Sequence, residues 1–220
     1  MLFERLIVHP DRPDRSAAFN MAIDEALLEQ ASLPIFRFYS WDHPALSFGY
    51  FGRFAELGEA ARARDVVRRW TGGGSVPHGE DLTYSLITPA TDRAARLSPS
   101  AIYVALHTAM REALQFEGKE AELLNDSAPK ISDACFANPV CNDLMWQGRK
   151  IAGAAQRRTG RGFLHQGSIQ LQDLSALFPE RLAAALADKV CPAEIAPVTL
   201  ARATQLVAEK YAAPEWLHRW

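Results

Sequence analysis

Residues 68–85 read RRWTGGGSVPHGEDLTYS, and they join two predicted strands through three consecutive glycines. Glycine has no Cβ, so a ligand can lie directly against this backbone, whose N–H groups are then free to bind an anion or a carbonyl oxygen. A flexible surface turn is the alternative for the glycines alone. Two arginines before them and a histidine after them favour a ligand-binding loop.

Short runs rich in aromatic and β-branched residues lie on both sides of this loop and predict a mixed sheet. They cover residues 35–41, 45–51, 66–70 and 82–88. Further along the chain, residues 143–146 and 150–156 flank a predicted hairpin turn at Gln147 and Gly148, and residues 162–171 form another predicted strand.

Two helices are predicted from caps and from apolar residues spaced at helical period. The first has Ser16 as its N-cap and stops before Pro34, with Asn20, Asp24 and Glu25 off its apolar stripe. The second begins at Ser98 and Pro99 and ends at Gly118. We expect an α+β fold of mixed β-sheets flanked by helices, as one domain over residues 1–220 with a short helical C-terminal tail from about residue 179.

Composition excludes several classes of protein. The chain has 220 residues, of which 48% are hydrophobic, and this is enough for a sizeable core. Its 24 Lys+Arg against 26 Asp+Glu give a net charge of −2, which disfavours a dedicated nucleic-acid binder. No apolar run approaches the roughly 20 residues that span a bilayer, and no secretory signal is evident, so a cytoplasmic protein without a membrane partner is expected. Three cysteines without metal-ligand spacing predict neither a disulfide framework nor a metal site.

Two further segments carry polar residues on predicted strands. In GRKIAGAAQRR, residues 148–158, Lys150 shares a strand face with Ala152 and Ala154, whose small side chains leave room for a substrate. A solvated edge lysine is the alternative. In FLHQGSI, residues 163–169, His165 interrupts an apolar strand, and a hydrogen-bonded core histidine is the alternative there.

Taken together and in this order, the three segments resemble the family of lipoate-protein ligase A and cysteine-dependent octanoyltransferases, which shares its catalytic fold with biotin protein ligases. The resemblance extends to NMAIDE at residues 20–25, to RFYSW at residues 37–41 and to SFG at residues 47–49. It covers most of the chain and rests on a long signature.

The resemblance implies an enzyme that attaches an octanoyl or lipoyl group to the ε-amine of a lysine on a lipoyl domain of a 2-oxoacid dehydrogenase or of the glycine cleavage H protein. It implies that Lys150 binds the reacting acyl carbonyl or an adenylate oxygen. A fixed cation stabilises the charge that develops on the carbonyl oxygen, which suits this role. The implied substrate-binding residues are Arg69, Gly72, Gly73, Gly74, His78, Asp143, Gly153, Ala154 and His165.

The family divides by acyl donor, and the sequence carries features of both branches. Octanoyltransferases take octanoate from acyl carrier protein onto a cysteine and need no cofactor, and CFANP at residues 135–139 matches their cysteine segment. Ligases use free lipoate, ATP and Mg²⁺, and an Asn-Asp pair like Asn142 and Asp143 lies near their adenylate and metal. The cysteine favours the transferase, because no ligase step needs it, with Cys135 as the nucleophile and Lys150 as the second catalytic residue.

Other interpretations stay open at this stage. Cys135 is alternatively a buried structural thiol, and Cys141 and Cys191 are expected to be structural. A non-catalytic lipoate- or acyl-binding module is the alternative from a different class. Local arginines would steer an acidic partner if they share one surface: Arg62, Arg64, Arg68, Arg69, Arg149, Arg157, Arg158 and Arg161.

Overall fold

The computed structural model describes residues 1–10, 15–125, 136 and 139–219. This part of the chain forms eleven strands and five α-helices. The strands are β1 Phe3–Pro10, β2 Ile35–Tyr39, β3 Ala45–Phe48, β4 Asp65–Arg68, β5 Val76–His78, β6 Leu82–Pro89, β7 Glu122–Leu123, β8 Leu144–Trp146, β9 Arg149–Thr159, β10 Gly162–Ile169 and β11 Ala187–Pro192. The helices are α1 Ala17–Gln30, α2 Pro99–Gln115, α3 Phe178–Leu186, α4 Pro197–Leu206 and α5 Pro214–Leu217.

Eight strands build one large sheet in the order β11-β1-β2-β6-β10-β9-β8-β7. β1 pairs in parallel with β11 and with β2, and the other neighbours in this sheet are antiparallel. A second sheet has the order β4-β3-β5 and carries the glycine loop, residues 72–74, between β4 and β5. The predicted fold class, mixed β-sheets flanked by helices, is confirmed.

The helices cover both faces of the large sheet. On one side, which we call the α2 face, α2 and α3 pack on Phe36, Tyr84 and Phe163. On the other, the α1 face, α1 and α4 pack on Ile87 and Leu164. Alternate residues of β6 and β10 therefore belong to different cores, as expected for strands buried on both faces.

Both predicted helices begin at the predicted caps. The hydroxyl oxygen of Ser16 accepts from the Phe19 amide at 3.4 Å, and that of Ser98 accepts from the Ala101 amide at 3.1 Å. The polar residues that lie off the stripe of α1 are buried nevertheless. Asp24 is inaccessible to solvent and accepts from Arg37 at 2.8 Å, so a buried polar network satisfies its carboxylate.

The predicted hairpin is confirmed, since Gln147 and Gly148 have φ values of 50° and 72° between β8 and β9. In the C-terminal tail, α3 and α4 are helical as predicted, but the prediction missed β11, which pairs with β1 at the sheet edge. The parallel partner of β11 lies at the opposite end of the sequence, so local patterning gives no sign of it. Among the described residues, no helix is both long and apolar enough to span a membrane.

Candidate functional site

A narrow cleft lies between the glycine loop and the α1 face of the sheet. Its walls come from β3, β5, β9 and β10 and from the first helix. The lining residues are Met21, Tyr39, Trp41, Ser47, Arg69, Gly73, Val76, His78, Thr83, Gly153, Ala154, Ala155, Gln166, Gly167 and Ser168. An apolar wall with a few convergent polar groups is the usual form of a small-ligand site.

Arg69 holds the glycine loop in place at the edge of this cleft. One guanidinium nitrogen, Nη2, donates to the carbonyls of Gly72 and Gly74 at 3.1 and 2.8 Å. The loop also packs closely on Gly49, where a Cβ atom would lie 2.0 Å from the Gly73 carbonyl oxygen. Glycine at position 49 is therefore required for this approach.

His78 lies beneath the loop, stacked on Trp41 with ring centroids 4.1 Å apart. Its Nδ1 is 2.8 Å from the Asp81 carboxylate, and its Nε2 is 2.6 Å from the Ser47 hydroxyl. Burial lowers the pKa of His78 below its ordinary value, although the Asp81 carboxylate opposes this shift. Burial therefore favours the neutral form of the ring.

Lys150 is the second residue of β9 and is buried, with 4% of its side chain exposed. Its Nζ is 2.7 Å from Oδ2 of Asp143 and 5.6 Å from the ring centre of Phe136. The same carboxylate accepts from the Val140 amide at 2.7 Å and from the Tyr103 hydroxyl. These contacts fix the ammonium group, which is what a residue stabilising an acyl oxyanion needs.

His165 lies on the α2 face, where its ring stacks on Tyr84 and lies near Tyr103. Gln156 accepts from Arg158 through Oε1 and therefore donates through Nε2 to Nδ1 of His165. His107, on α2, has Nδ1 at 2.7 Å from the Asn142 carbonyl. Burial lowers the pKa of His165 to about 3 and that of His107 to about 4.

The structure thus divides the predicted site residues between two places. Arg69, Gly73, His78, Gly153 and Ala154 line the cleft, and Gly72 and Gly74 belong to the same loop. The Lys150–Asp143 pair and His165 lie on the α2 face, and Lys150 precedes Gly153 on β9 by three residues, roughly 10 Å of strand. Cys135, the predicted nucleophile, lies outside the described residues.

Sequence reasoning missed Ser47, Asp81 and Gln166 in the cleft region. Gln166 donates to Asp24 at 2.7 Å and accepts from Thr71 at 2.8 Å, so it joins the first helix to the glycine loop. Ser47 lies in the SFG motif and Gln166 in the FLHQGSI motif. Their positions inside these motifs were the sequence feature that could have marked them as site residues.

The arginines do not share one surface. Arg68 is fully buried, where Nε donates to the Trp216 carbonyl and Nη2 to that of Leu217, both at 2.8 Å. Arg157 lies over Trp70, whereas Arg158 lies over Phe163 on the α2 face. The condition under which these arginines would steer an acidic partner together is therefore not met.

Acidification should destabilise the protein through His107 and His165. Unfolded histidines have pKa values near 6.5, so the unfolded state binds more protons below that pH and the free energy of unfolding falls as the pH drops towards the folded values. Between pH 7 and pH 4.5 we expect a loss of about 2–3 kcal/mol from His165 alone. Urea unfolding at both pH values should show that His165→Gln lacks about 2–3 kcal/mol of the pH-dependent loss. His43→Gln, which changes an exposed histidine, should show the same loss as the wild type. An unchanged loss in His165→Gln would contradict the assignment.

Comparison with known proteins agrees with this architecture. The family model of the lipoyl protein ligase A/B catalytic domain matches residues 16–209. Octanoyltransferase LipM of Oceanobacillus iheyensis is 36% identical over 166 residues, which are 71% of this chain and 61% of that protein. Octanoyltransferase LipM of Carboxydothermus hydrogenoformans is 36% identical over 175 residues, 74% of this chain and 64% of the relative. The chain thus spans somewhat less than two thirds of these relatives' length.

Solved structures show the same fold. Protein Ta0514 of T. acidophilum, determined with bound lipoic acid, superposes with a TM-score of 0.76 at 20% identity, with both chains covered completely. A lipoate-protein ligase A bound with ATP gives a TM-score of 0.75 at 21% identity, with 99% of each chain covered. The likeness is one of architecture, and the matched family model supplies the relationship: the chain belongs to the lipoyl protein ligase A/B catalytic domain family.

Proposed function

We propose that the protein transfers an octanoyl group from acyl carrier protein to the ε-amine of a lysine on a lipoyl domain, through a thioester on Cys135. The observation that carries this proposal is the buried Lys150 ammonium, held by Asp143 beside Phe136, the residue that follows Cys135 in the sequence. The octanoyltransferase relatives and the cleft next to the glycine loop support it.

In the first step, the Cys135 thiolate attacks the carbonyl carbon of the octanoyl thioester. A new C–S bond forms to Cys135, the bond to the carrier thiol breaks, and the carrier thiolate takes up a proton. Negative charge develops on the carbonyl oxygen in between, and we place the Lys150 ammonium against it. A fixed donor of this kind typically contributes about 10²–10³ in rate.

In the second step, the neutral amine of the acceptor lysine attacks the Cys135 thioester. An amide bond forms, the C–S bond breaks, the Cys135 thiolate leaves, and the proton of the amine passes to solvent. A thiolate is both a good acceptor and a good leaving group, so the two steps replace one slow direct transfer. The alkyl chain occupies the cleft throughout, against Val76 and the small residues Gly153 and Ala154.

The contacts of Asp143 favour the transferase over the ATP-dependent ligase. A ligase would use this carboxylate near Mg²⁺ and the adenylate. Here its oxygens already accept from Lys150, Val140 and Tyr103, which uses most of the acceptor capacity of a carboxylate. A metal ion at Asp143 would have to displace Lys150, the group that the reaction needs.

The transferase and the ligase require different acyl donors, so an experiment that varies the donor distinguishes them. The purified chain is incubated with a lipoyl domain and either octanoyl acyl carrier protein alone, or free octanoate or lipoate with ATP and Mg²⁺, and the mass of the lipoyl domain is measured. We expect one added octanoyl group with the carrier and no ATP. Modification only with free acid and ATP would establish the ligase instead, and modification with neither donor would point to a binding module.

A further inference from the structure

A continuous chain of hydrogen bonds runs beneath the cleft from a carboxylate to the glycine loop. It begins at Asp81, passes through His78 and Ser47, and reaches Arg69, whose guanidinium binds the loop carbonyls. The links measure 2.8 Å from Asp81 to His78, 2.6 Å from His78 to Ser47 and 2.7 Å from Ser47 to Arg69. All four residues are at least nine-tenths buried.

The chemistry of the two ends fixes the direction of every bond in this chain. Asp81 is an acceptor, so Nδ1 of His78 donates to it, and Nε2 of the neutral ring is left as an acceptor for the Ser47 hydroxyl. The guanidinium of Arg69 only donates, so the Ser47 oxygen accepts from Nη1. Hydrogen bonds from Ser168 and Thr83, at 2.6 and 2.8 Å, help to keep Asp81 ionised.

Ser47, His78 and Asp81 have the arrangement of a Ser-His-Asp triad, but the contact of Arg69 argues against a nucleophilic serine. The guanidinium occupies one lone pair of the Ser47 oxygen and withdraws electron density from it, which lowers its reactivity. The bond instead orients Arg69, because Nη1 is tied to Ser47 while Nη2 spans the carbonyls of Gly72 and Gly74.

We infer that Asp81, His78 and Ser47 are positioning residues that hold Arg69, and through it the glycine loop, in the shape that binds the acyl chain. The inference deepens the proposed function, because this loop borders the proposed acyl site. Gly73 has a φ of 87° and lies against Ala155 and Arg69, so a small displacement of the guanidinium alters the cleft wall directly. In the proposed reaction, the acyl carbonyl lies at the Lys150 ammonium and not at Arg69.

The first test needs no substrate. Loop exchange is measured as hydrogen exchange at the Tyr50 amide, which donates to the Thr71 carbonyl at 2.8 Å at the base of the glycine loop, and it is compared between the wild type, Ser47→Ala and Ser85→Ala. Ser85 is a matched control, since it is equally buried and donates one hydrogen bond to a carboxylate, that of Asp24. We expect exchange in the loop to accelerate about tenfold in Ser47→Ala and less than about twofold in Ser85→Ala. Equal acceleration in both variants would overturn the inference.

A double-mutant cycle tests whether the effect passes through His78. In the part of the chain that the structure describes, the Ser47 hydroxyl bonds to His78 and to Arg69, and Asp81 reaches Ser47 through the imidazole. We expect Asp81→Asn to accelerate loop exchange about as much as Ser47→Ala, and the double variant to add little. Accelerations that multiply in the double variant would show two independent effects and reject the chain.

Two further measurements distinguish positioning of Arg69 from general support of the fold: the ring ¹⁵N chemical shifts of His78 and the kinetics of octanoyl transfer. The wild-type ring should carry its proton on Nδ1 at neutral pH, and a proton on Nε2 would overturn the inference.

In octanoyl transfer, Ser47→Ala should raise KM about tenfold and leave kcat within about threefold, whereas a kcat loss of about 10³-fold would make Ser47 a nucleophile. If the wild type transfers no octanoate, the proposed function fails while the exchange and NMR results still decide this inference.

Discussion

Replacing Cys135 with alanine should lower kcat for octanoyl transfer by about 10³-fold or more, because the proposed thioester intermediate can no longer form. Intact-mass measurement after incubation with octanoyl acyl carrier protein should show one octanoyl group on the wild type and none on Cys135→Ala. Hydroxylamine should remove the group from the wild type, since it cleaves a thioester and leaves an amide intact.

The other two cysteines provide matched controls. Cys141 is exposed and its thiol lies 3.1 Å from the Asn125 carbonyl, and Cys191 is half-buried in β11. Cys141→Ala and Cys191→Ala should retain transfer within about threefold and still take up the octanoyl group. Full activity of Cys135→Ala with free lipoate and ATP would contradict the transferase and identify a ligase.

Lys150→Met should reduce kcat by about 10²–10³, because the cation that we place against the developing oxyanion is removed while most of the length of the side chain is kept. The same substitution leaves Asp143 as an unpaired buried charge, so the free energy of unfolding should also fall by about 3–5 kcal/mol. Activity and stability must therefore be measured on the same preparations, by lipoyl-domain mass and by urea unfolding.

A second variant separates these two effects. Lys150→Met with Asp143→Asn removes the uncompensated charge and should recover much of the lost stability, while kcat stays low. Lys189→Met, on the exposed side of β11, should change neither quantity appreciably. Recovery of kcat together with stability in the double variant would show that Lys150 only supports the fold.

Local features of the sequence were sufficient for the two long helices and for the central strands. Ser16 and Ser98 are strong N-caps, and the strands of the core are rich in aromatic and β-branched residues. β1 and β11 were missed, because each mixes charged and apolar residues and gains its stability from the other, across nearly the whole chain. Pairing of this kind is a property of the folded chain.

The candidate site was predicted where residue types are unusual and missed where they are ordinary. Three glycines beside two arginines stand out, so Arg69 and His78 were predicted as site residues, and both lie in the wall of the cleft. Ser47 and Asp81 are common residues in unremarkable positions, and only the pairing of β3 with β5 brings Ser47 to His78. The division of the residues between the cleft and the α2 face depends on strand register, which one sequence does not specify.

The burial of Arg68 beneath α5 has a practical consequence for variants of this protein. Its guanidinium donates to the carbonyls of Trp216 and Leu217, which are distant in the sequence, and the Trp216 indole donates back to the Arg68 carbonyl at 3.0 Å. β4, the strand that leads into the glycine loop, is therefore held in place by α5. Deleting α5, or fusing a partner tightly to it, would act as a mutation of the loop, and such constraints should guide where truncations and tags are made.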